Sequence, residues 1–413
     1  MVSHRGSGAK HEVDENCGCF ASHSRCLDIA LLLEGHALQQ ALRGGSPWRT
    51  RHGGFYGARL MMYRPARTLV FTPQQDRLIG CNFLARRSFE CDASLVSFLG
   101  QWEGWRTTSD IAELTQGDDE LVEESILAMV DQSALVVQDS DLHRREEAFI
   151  GQWRWGLPTA MMHFCVQDAD YMDAGEAQAA QQRQQALSTP PALVSRNIAR
   201  ERVIELPSIR SDALLDLMAR RRTIRAAGRP SINVGQLADC LFAGLGIIGE
   251  TEGVTGKLPL SMTPSGGARN PYEAYVIAKR VEGLEPGIYH YSAADHDLGL
   301  LRQGEACPFS DLVGGQDWAD EMPCLILLCA DFRRPMWKYE DANAYRVVLI
   351  EAGHIGQNIM LAATSHGLSA CPTAALSHSI IAENLGLETP LVAPVYGLTL
   401  AVPGVEPPLR RLQ

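Results

Sequence analysis

The chain contains no uninterrupted run of about eighteen apolar residues, the length that a membrane-spanning helix needs. Its first residues also lack the basic-then-apolar order of a secretory signal peptide. These two absences lead us to expect a cytoplasmic protein without a membrane partner. Basic residues are fewer than acidic ones, 37 against 49, and the net charge is −12. Because a phosphate backbone requires a basic surface, this balance argues against nucleic acid as the main partner.

Several ligand-binding motifs are absent as well. There is no GxGxxG fingerprint and no Walker sequence, so neither a Rossmann site nor a P-loop is supported. The eleven cysteines are scattered and odd in number, which in a cytosolic protein favours buried thiols over disulfides. Cys17, Cys19, Cys26 and His23 could bind zinc by count alone. Their irregular spacing in a glycine- and serine-rich segment favours a loose terminal segment, and we predict no metal site.

What the sequence does have is a globular composition, with 46% hydrophobic and 21% charged residues over 413 positions. That length allows two or three domains. We predict an N-terminal extension (1–48), a winged-helix-like domain (49–150), a helical connector (151–205) and a C-terminal domain (206–413). The connector is rich in alanine and glutamine, which favour helix, and Pro190–Pro191 ends it.

The predicted winged-helix-like domain carries strand-like runs followed by short helices that end in a strand. Modules of this type often bind DNA. Here the stretch from Ser109 to Asp141 contains many acidic residues and no basic one, the wrong sign for reading DNA. We therefore expect a peptide-docking or purely structural role.

In the C-terminal domain, strand and helix patterns alternate without a regular βαβ rhythm, which favours an α+β fold with helices flanking a sheet. "PCLILLCAD" reads as a fully buried strand, and "GIYHYSAADHDLGLL" as a hairpin that turns near residues 294–297. A helix of roughly twenty residues begins near Tyr345 and is closed by Gly367.

The first chemically suggestive segment is "RRRTIR", Arg220–Arg225, at the end of an amphipathic helix. Arg221 and Arg225 lie four apart and would share a face if the helix continued. Together with Thr223 they could hold a phosphate through charge-assisted hydrogen bonds. The alternative is a basic helix end that complements the helix dipole.

A second segment, "PSGGARNPYEAYV" (Pro264–Val276), has two adjacent glycines that would let a flat ligand approach the backbone closely. Taken alone, an ordinary turn before a strand is the more common explanation.

The long helix carries Glu351, His354 and Asn358 as a polar stripe. This pattern favours a hydrogen-bond network over a metal site. Gly353 and Gly356 would let another helix approach closely.

The third segment is "MWKYEDANAYR", Met336–Arg346, just before the long helix. Lys338 and Tyr339 could belong to a solvated face with one amphipathic ring. They could also be a proton-transfer pair directed into a pocket.

In this order the motifs resemble the SagB-type branch of the FMN-dependent nitroreductase superfamily, whose best-known members are the azoline dehydrogenases of thiazole- and oxazole-modified peptide biosynthesis. The resemblance covers Leu214–Val402. The segment "RLIGCNFLARRSFECDASLVSFLGQWEGWRTTSDIAEL" also resembles the small N-terminal domain of longer members. Two departures are the stretch "CPTAALSHS", which lacks the usual glycine, and Asn270, where an aromatic residue is frequent.

The resemblance implies a nitroreductase-like FMN fold, with a mostly antiparallel central sheet, and a homodimer with one FMN at each subunit interface. It implies that Lys338 and Tyr339 transfer protons. The implied FMN-binding residues are, for the phosphate and ribityl chain, Arg221, Arg222, Thr223 and Arg225, and, along the isoalloxazine, Pro264, Ser265, Gly266 and Gly267.

The expected activity is the oxidation of azolines to thiazoles or oxazoles in a ribosomal peptide pathway. Dioxygen would re-oxidise the flavin, and a cyclodehydratase would be a partner. One alternative is an NAD(P)H-dependent nitroreductase or flavin reductase that acts on small molecules. Another is a non-catalytic peptide-binding scaffold.

Overall fold

The computed structural model describes residues 26–27, 61–74, 77–115, 119–190, 203–209, 212–254, 256–304 and 307–404. The chain divides into two compact units. Unit 1 comprises residues 1–147 with 164–166, and unit 2 comprises residues 148–163 with 167–413. The zinc alternative raised by the sequence involves Cys17, Cys19 and His23, which lie outside the described residues.

Unit 1 combines short strands with three consecutive helices. Strands β1, β5, β4 and β3 form a sheet in that order, and β2 pairs with β6. Their bounds are β1 (Cys26–Leu27), β2 (Tyr63–Pro65), β3 (Leu69–Gln74), β4 (Arg77–Asn82), β5 (Arg87–Cys91), β6 (Leu135–Val137), α1 (Ala93–Gly100), α2 (Thr108–Thr115), α3 (Asp119–Asp131) and α4 (Asp141–Gln152), which begins in this unit.

The helices of unit 1 start where the sequence provides caps. The Asp92 carboxylate accepts hydrogen bonds from the backbone N–H groups of Ser94 and Leu95 at the start of α1. Helices α2 and α3 lead into β6, the order expected of a winged-helix-like module. The partner of β6 is β2, a strand that precedes it in the chain, and Tyr63 of β2 also bridges Arg106. The strand that pairs with β6, in the position of a wing strand, therefore precedes α2 and α3 in the chain.

A buried ionic network lies beneath this small sheet. Arg64 and Glu146 are 4% and 0% exposed and form a salt bridge. The Glu146 carboxylate also accepts hydrogen bonds from the backbone N–H and the hydroxyl group of Thr68, both at 3.0 Å. Every charge is compensated inside the network, as a buried ion pair requires.

Unit 2 contains the remaining elements. The helices are α5 (Gly156–Cys165), α6 (Ala174–Leu187), α7 (Ala213–Arg220), α8 (Val234–Leu245), α9 (Phe309–Leu312), α10 (Arg333–Lys338), α11 (Ala344–Ser365) and α12 (His378–Leu385). The strands are β7 (Ile232–Asn233), β8 (Ile247–Gly253), β9 (Gly256–Ser261), β10 (Tyr272–Ala278), β11 (Val281–Glu282), β12 (Gly287–Ser292), β13 (Asp297–Gln303), β14 (Cys324–Asp331), β15 (Ser369–Thr373) and β16 (Val392–Ala401).

The central sheet of unit 2 has six strands in the order β13-β12-β10-β14-β16-β15, and every neighbouring pair is antiparallel. This confirms the predicted α+β fold with a mostly antiparallel sheet. All eight residues of β14 are buried, because helices or loops cover both of its faces. The predicted hairpin is present as β12 and β13, joined at residues 293–296.

Helix α11 packs along this sheet and supplies much of the core. It is long and apolar enough to pass a membrane-span test by length and composition, yet 44% of that window is buried within the protein. Gly367 follows its C-cap, His366, with φ +70°, as predicted. The expectation that Gly356 admits another helix is wrong. A Cβ there would lie 2.5 Å from the Tyr396 ring, so this glycine admits a side chain of the sheet.

Candidate active site

A glycine loop and the Lys338–Tyr339 pair lie directly against each other. The Lys338 ammonium group donates a hydrogen bond to the Gly267 carbonyl at 3.3 Å. Gly267 has φ +63°, and a Cβ there would lie 2.3 Å from the Tyr339 hydroxyl oxygen and 2.6 Å from Lys338 Nζ. Only glycine satisfies both the backbone angle and the space. The structure thus brings two of the three sequence-predicted segments together.

The polar stripe of α11 holds this loop in place. The buried Glu351 carboxylate accepts a hydrogen bond from the Gly266 N–H at 3.2 Å. Asn358 donates to the Thr263 hydroxyl, which in turn donates to the Gly244 carbonyl. Burial raises the pKa of Glu351, and the hydrogen bonds from Ser265 and Gly266 oppose that shift. The stripe is therefore a hydrogen-bond network, as favoured from the sequence, although His354 is exposed and takes no described part in it.

An aromatic cluster from an upstream segment fixes the backbone of the Lys338–Tyr339 pair. The Trp155 indole N–H donates to the Tyr339 carbonyl at 2.8 Å, and Trp155 itself is 2% exposed. Phe332 and Tyr345 pack beside it. His163 belongs to the same cluster, and burial lowers its pKa to about 3. The imidazole is consequently neutral at moderate pH, like the apolar rings around it.

The arginine segment does not continue the helix, which was the condition for Arg221 and Arg225 to share a face. Helix α7 ends at Arg220, so Arg221 and Arg225 do not share a helical face. The non-helical backbone after it separates the side chains. Arg221 reaches the Thr223 hydroxyl at 3.5 Å, whereas Arg222 lines a cavity of about 270 Å³ together with Arg220 and Ile224.

Arg225 points toward the stretch "CPTAALSHS" that the resemblance associates with flavin contacts. Its guanidinium stacks on Trp318 at 5.7 Å, and its charge partly offsets the burial that raises the pKa of Cys371. In the described part of the chain, no carboxylate pairs with Arg220, Arg221, Arg222 or Arg225. A cluster of cations without counter-charges suits an anionic ligand such as a phosphate.

The arginine segment and the Lys338–Tyr339 pair lie at opposite ends of α11. Gly266 touches Val347 near the start of the helix, and Arg222 shares its cavity with Thr364 near the end. Seventeen residues separate these two positions, which corresponds to about 25 Å at the helical rise per residue. One copy of the chain does not bring all three predicted segments together.

The sequence reasoning missed two residues at the edge of the glycine loop. Arg269 and Trp337 stack with 5.2 Å between the guanidinium carbon and the ring centroid. Both line a cavity of about 620 Å³ beside the loop. Asn270, noted only as a departure, closes the loop by donating its backbone N–H to the Ser265 hydroxyl at 2.8 Å. The spacing of the motifs along the chain does not show that "GGARN" lies next to the tryptophan that precedes "KY".

These residues fit FMN on the structure's own terms. Arg221 and Arg225, which have no carboxylate partner among the described residues, suit its phosphate, and the glycines at 266 and 267 let Val347, Lys338 and Tyr339 pack directly against the loop backbone. A cavity of about 340 Å³ lined by Gly266, Tyr339 and Val347 opens on the same surface.

The fold and this site define the class of protein. Residues 218–402 match the nitroreductase family. Over 191 residues the chain is 31% identical to MJ1384 of Methanocaldococcus jannaschii, a protein assigned to the nitroreductases, covering 46% of this chain and 92% of that protein. The chain therefore belongs to the nitroreductase family and contains an oxidoreductase domain of that family.

Two further relatives are more specific. The trifolitoxin-processing protein TfxB of Rhizobium leguminosarum bv. trifolii is 32% identical over 144 residues, which cover 32% of this chain and 37% of TfxB. The microcin B17-processing protein McbC of Escherichia coli is 29% identical over 138 residues, which cover 32% of this chain and 50% of McbC. These relatives support the SagB-type, azoline-dehydrogenase-like assignment, although the chain spans only half of their length or less.

Proposed function

We propose that the protein is an FMN-dependent dehydrogenase that oxidises azoline rings in a peptide to thiazoles or oxazoles. The contact of Lys338 and Tyr339 with Gly267 carries this proposal, because two side chains able to transfer a proton lie against the loop that we propose to contact the flavin ring. The names of TfxB and McbC support a peptide substrate. In such a pathway a cyclodehydratase would form the azoline, and this enzyme would act next.

FMN, when bound, supplies the two-electron acceptor that a dehydrogenation needs, and dioxygen would regenerate it. The chain's own residues would then manage the proton. The Nζ atom of Lys338 would accept the proton released from the ring carbon. Tyr339, whose hydroxyl lies beside the same glycine, would relay it to solvent. The hydrogen bond from Trp155 to the Tyr339 carbonyl keeps this pair in position.

We further propose that the working enzyme is a homodimer with each site shared between two copies. The separation of about 25 Å along α11 between the Arg222 cavity and the glycine loop supports this, since the short ribityl chain of FMN cannot span it. The exposed face of α11 carries Val347, Leu349 and Ile350, which are 40%, 38% and 55% exposed and would be covered by the second copy.

Mixing two inactive variants tests the shared site. Arg221→Ala/Arg225→Ala and Lys338→Ala homodimers should each be inactive. In a mixed dimer, one site combines the intact arginines of one copy with the intact lysine of the other. An equal mixture should recover about a quarter of wild-type turnover, because half of the dimers are mixed and carry one good site each. No recovery, despite subunit exchange shown by mass spectrometry, would contradict a shared site.

Separate measurements of flavin content and turnover test the role of the pair. Lys338→Ala should lower turnover by about 10²–10⁴-fold, the usual range for a positioned acid–base group, and Tyr339→Phe should lower it less. Both variants should retain FMN, because neither residue belongs to the proposed phosphate site. The readouts are flavin absorbance and a mass decrease of about 2 Da in a thiazoline-containing peptide, the two hydrogens removed. Wild-type turnover in both variants would exclude the catalytic role.

A second candidate function is the NAD(P)H-dependent reduction of small nitro compounds or free flavin, which the similarity to MJ1384 favours. Rapid NADPH consumption with a nitroarene, together with no oxidation of thiazoline peptides, would support this alternative.

A further inference from the structure

A cavity adjoins the glycine loop and is not used by the proposed chemistry. Its volume is about 620 Å³, and it is bounded by Arg269, Trp337, the β8–β9 hairpin and the sheet residues Glu273 and His290. Trp337 directly precedes Lys338 in the chain, and Arg269 follows Gly267 by two residues. A ligand in this cavity would therefore lie beside the proposed proton-transfer pair.

The charges on the cavity wall are paired except at one position. Arg334 and His290 both contact the Glu273 carboxylate, and Lys257 pairs with Glu250 at 2.8 Å. Glu351 is buried against the loop, where its carboxylate accepts a hydrogen bond from the Gly266 N–H. Arg269 has no carboxylate partner in the described part of the chain. The wall thus carries a surplus positive charge at Arg269.

The guanidinium of Arg269 contacts an aromatic ring and, within the residues that the structure describes, has no carboxylate partner. Its Cζ atom lies 5.2 Å from the centroid of the Trp337 ring, a cation–π contact. The Nε atom is buried, so a ligand in the cavity would meet the Nη groups. A carboxylate can accept two parallel hydrogen bonds from the two Nη groups of an arginine.

We propose that this cavity binds a carboxylate group of the substrate next to the ring that is oxidised, and that Arg269 is the residue that recognises it. The inference rests on the proposed function, since it assigns a chemical group to the proposed peptide substrate. The carboxylate could come from an acidic side chain or from the peptide C-terminus. Trp337, which is 58% exposed, would present its indole face to the neighbouring part of the peptide.

Binding of product-like peptides tests this without relying on turnover. Three short thiazole peptides serve as probes: one with glutamate beside the ring and an amidated C-terminus, one with glutamine in its place, and the glutamine peptide with a free C-terminal carboxylate. Their dissociation constants would be measured by isothermal titration calorimetry on the full chain as purified with its flavin. Tighter binding of the first or the third probe than of the second identifies the source of the carboxylate.

Arg269→Gln should weaken binding of the preferred carboxylate peptide about tenfold to a hundredfold, and change binding of the neutral peptide less than about threefold. Arg269→Lys should give an intermediate loss, because the charge remains without the planar fork. Lys257→Gln is the matched control, a paired cation of the same wall, and should change neither constant by more than about threefold. Equal losses for charged and neutral peptides, or no loss, would overturn the proposal.

A failure of the proposed function is distinguishable from a failure of this inference. If wild-type protein binds none of the thiazole peptides, the peptide function fails. Benzoate and benzamide then serve as probes of the same size and shape that differ in charge. A preference for benzoate that disappears in Arg269→Gln would retain the carboxylate site, and equal weak binding of both compounds would overturn it.

Discussion

The buried arginine of unit 1 is paired with a carboxylate, whereas three arginines of unit 2 are not, as far as the structure describes the chain. Arg64 is 4% exposed, and its charge is compensated by Glu146. Arg221, Arg225 and Arg269 are more exposed and have no carboxylate partner among the described residues. Removing a charge from water costs free energy, so a cation buried in the fold needs a counter-charge from the protein. A cation that binds an anionic ligand does not need one. Pairing, more than the presence of arginine, distinguishes Arg64 from the arginines that we propose to bind anionic groups.

The largest effect should come from the unpaired arginines. Arg221→Ala together with Arg225→Ala should weaken FMN binding by about 10²–10⁴-fold, because each charge-assisted contact contributes about 1.5–3 kcal/mol. Flavin content after dialysis against a range of FMN concentrations measures this. Arg144→Ala is the control, since Arg144 is an exposed arginine that pairs with Asp141, and it should leave FMN affinity unchanged. A comparable loss of flavin in this variant would contradict a specific role of the unpaired arginines.

The paired arginine should affect folding and leave flavin affinity unchanged. Glu146→Gln removes the buried counter-charge of Arg64 and leaves only the half-exposed Glu147 carboxylate at 3.0 Å, so it should lower the free energy of unfolding by about 3–5 kcal/mol. Glu147→Gln is the matched control: the same change one residue further along α4, where the side chain is 49% exposed, should cost less than about 1 kcal/mol. Urea unfolding provides both values. Similar losses of unfolding free energy in both variants would show that burial of the carboxylate does not decide its contribution to stability.

The smallest of the three effects concerns His163, a titratable group buried without charge. Its pKa falls from 6.5 in the unfolded chain to about 3 in the folded one, so stability is full above pH 6.5 and declines as the pH falls toward 3. Between pH 7 and pH 4.5 the loss should be about 2–3 kcal/mol. His163→Phe should lack this component of the acid sensitivity in urea unfolding followed by tryptophan fluorescence. An identical pH dependence in both proteins would contradict a buried neutral imidazole.

The elements that could be predicted from sequence are those whose signal is local. β14 is an unbroken apolar run, the β12–β13 hairpin alternates around a polar turn, and Gly367 marks the end of the long helix. Asp92 caps α1 for an equally local reason, its side chain reaching N–H groups two and three residues away.

The misses depend on contacts that no local pattern encodes. The end of α7 at Arg220 redirects the arginines, and the packing of Gly356 against Tyr396 depends on the position of β16. The stacking of Arg269 on Trp337 joins residues 68 positions apart, a pairing that only the folded loop and α10 bring about. The contact of Lys338 with Gly267 follows the order of motifs in the resemblance, but its geometry could not be read from spacing.

The hydrogen bond from Trp155 to the Tyr339 carbonyl joins a residue outside the family match to a residue inside it. The packed core therefore extends beyond the segment that matches the family. The family match begins at residue 218, yet Trp155 and His163 lie well upstream and pack in the same core as Phe332 and Tyr345. Recombination at the family boundary would transfer the motifs without the tryptophan side chain that hydrogen-bonds to one of them. A segment transferred by gene fusion or shuffling would therefore have to be longer than the segment that matches the family.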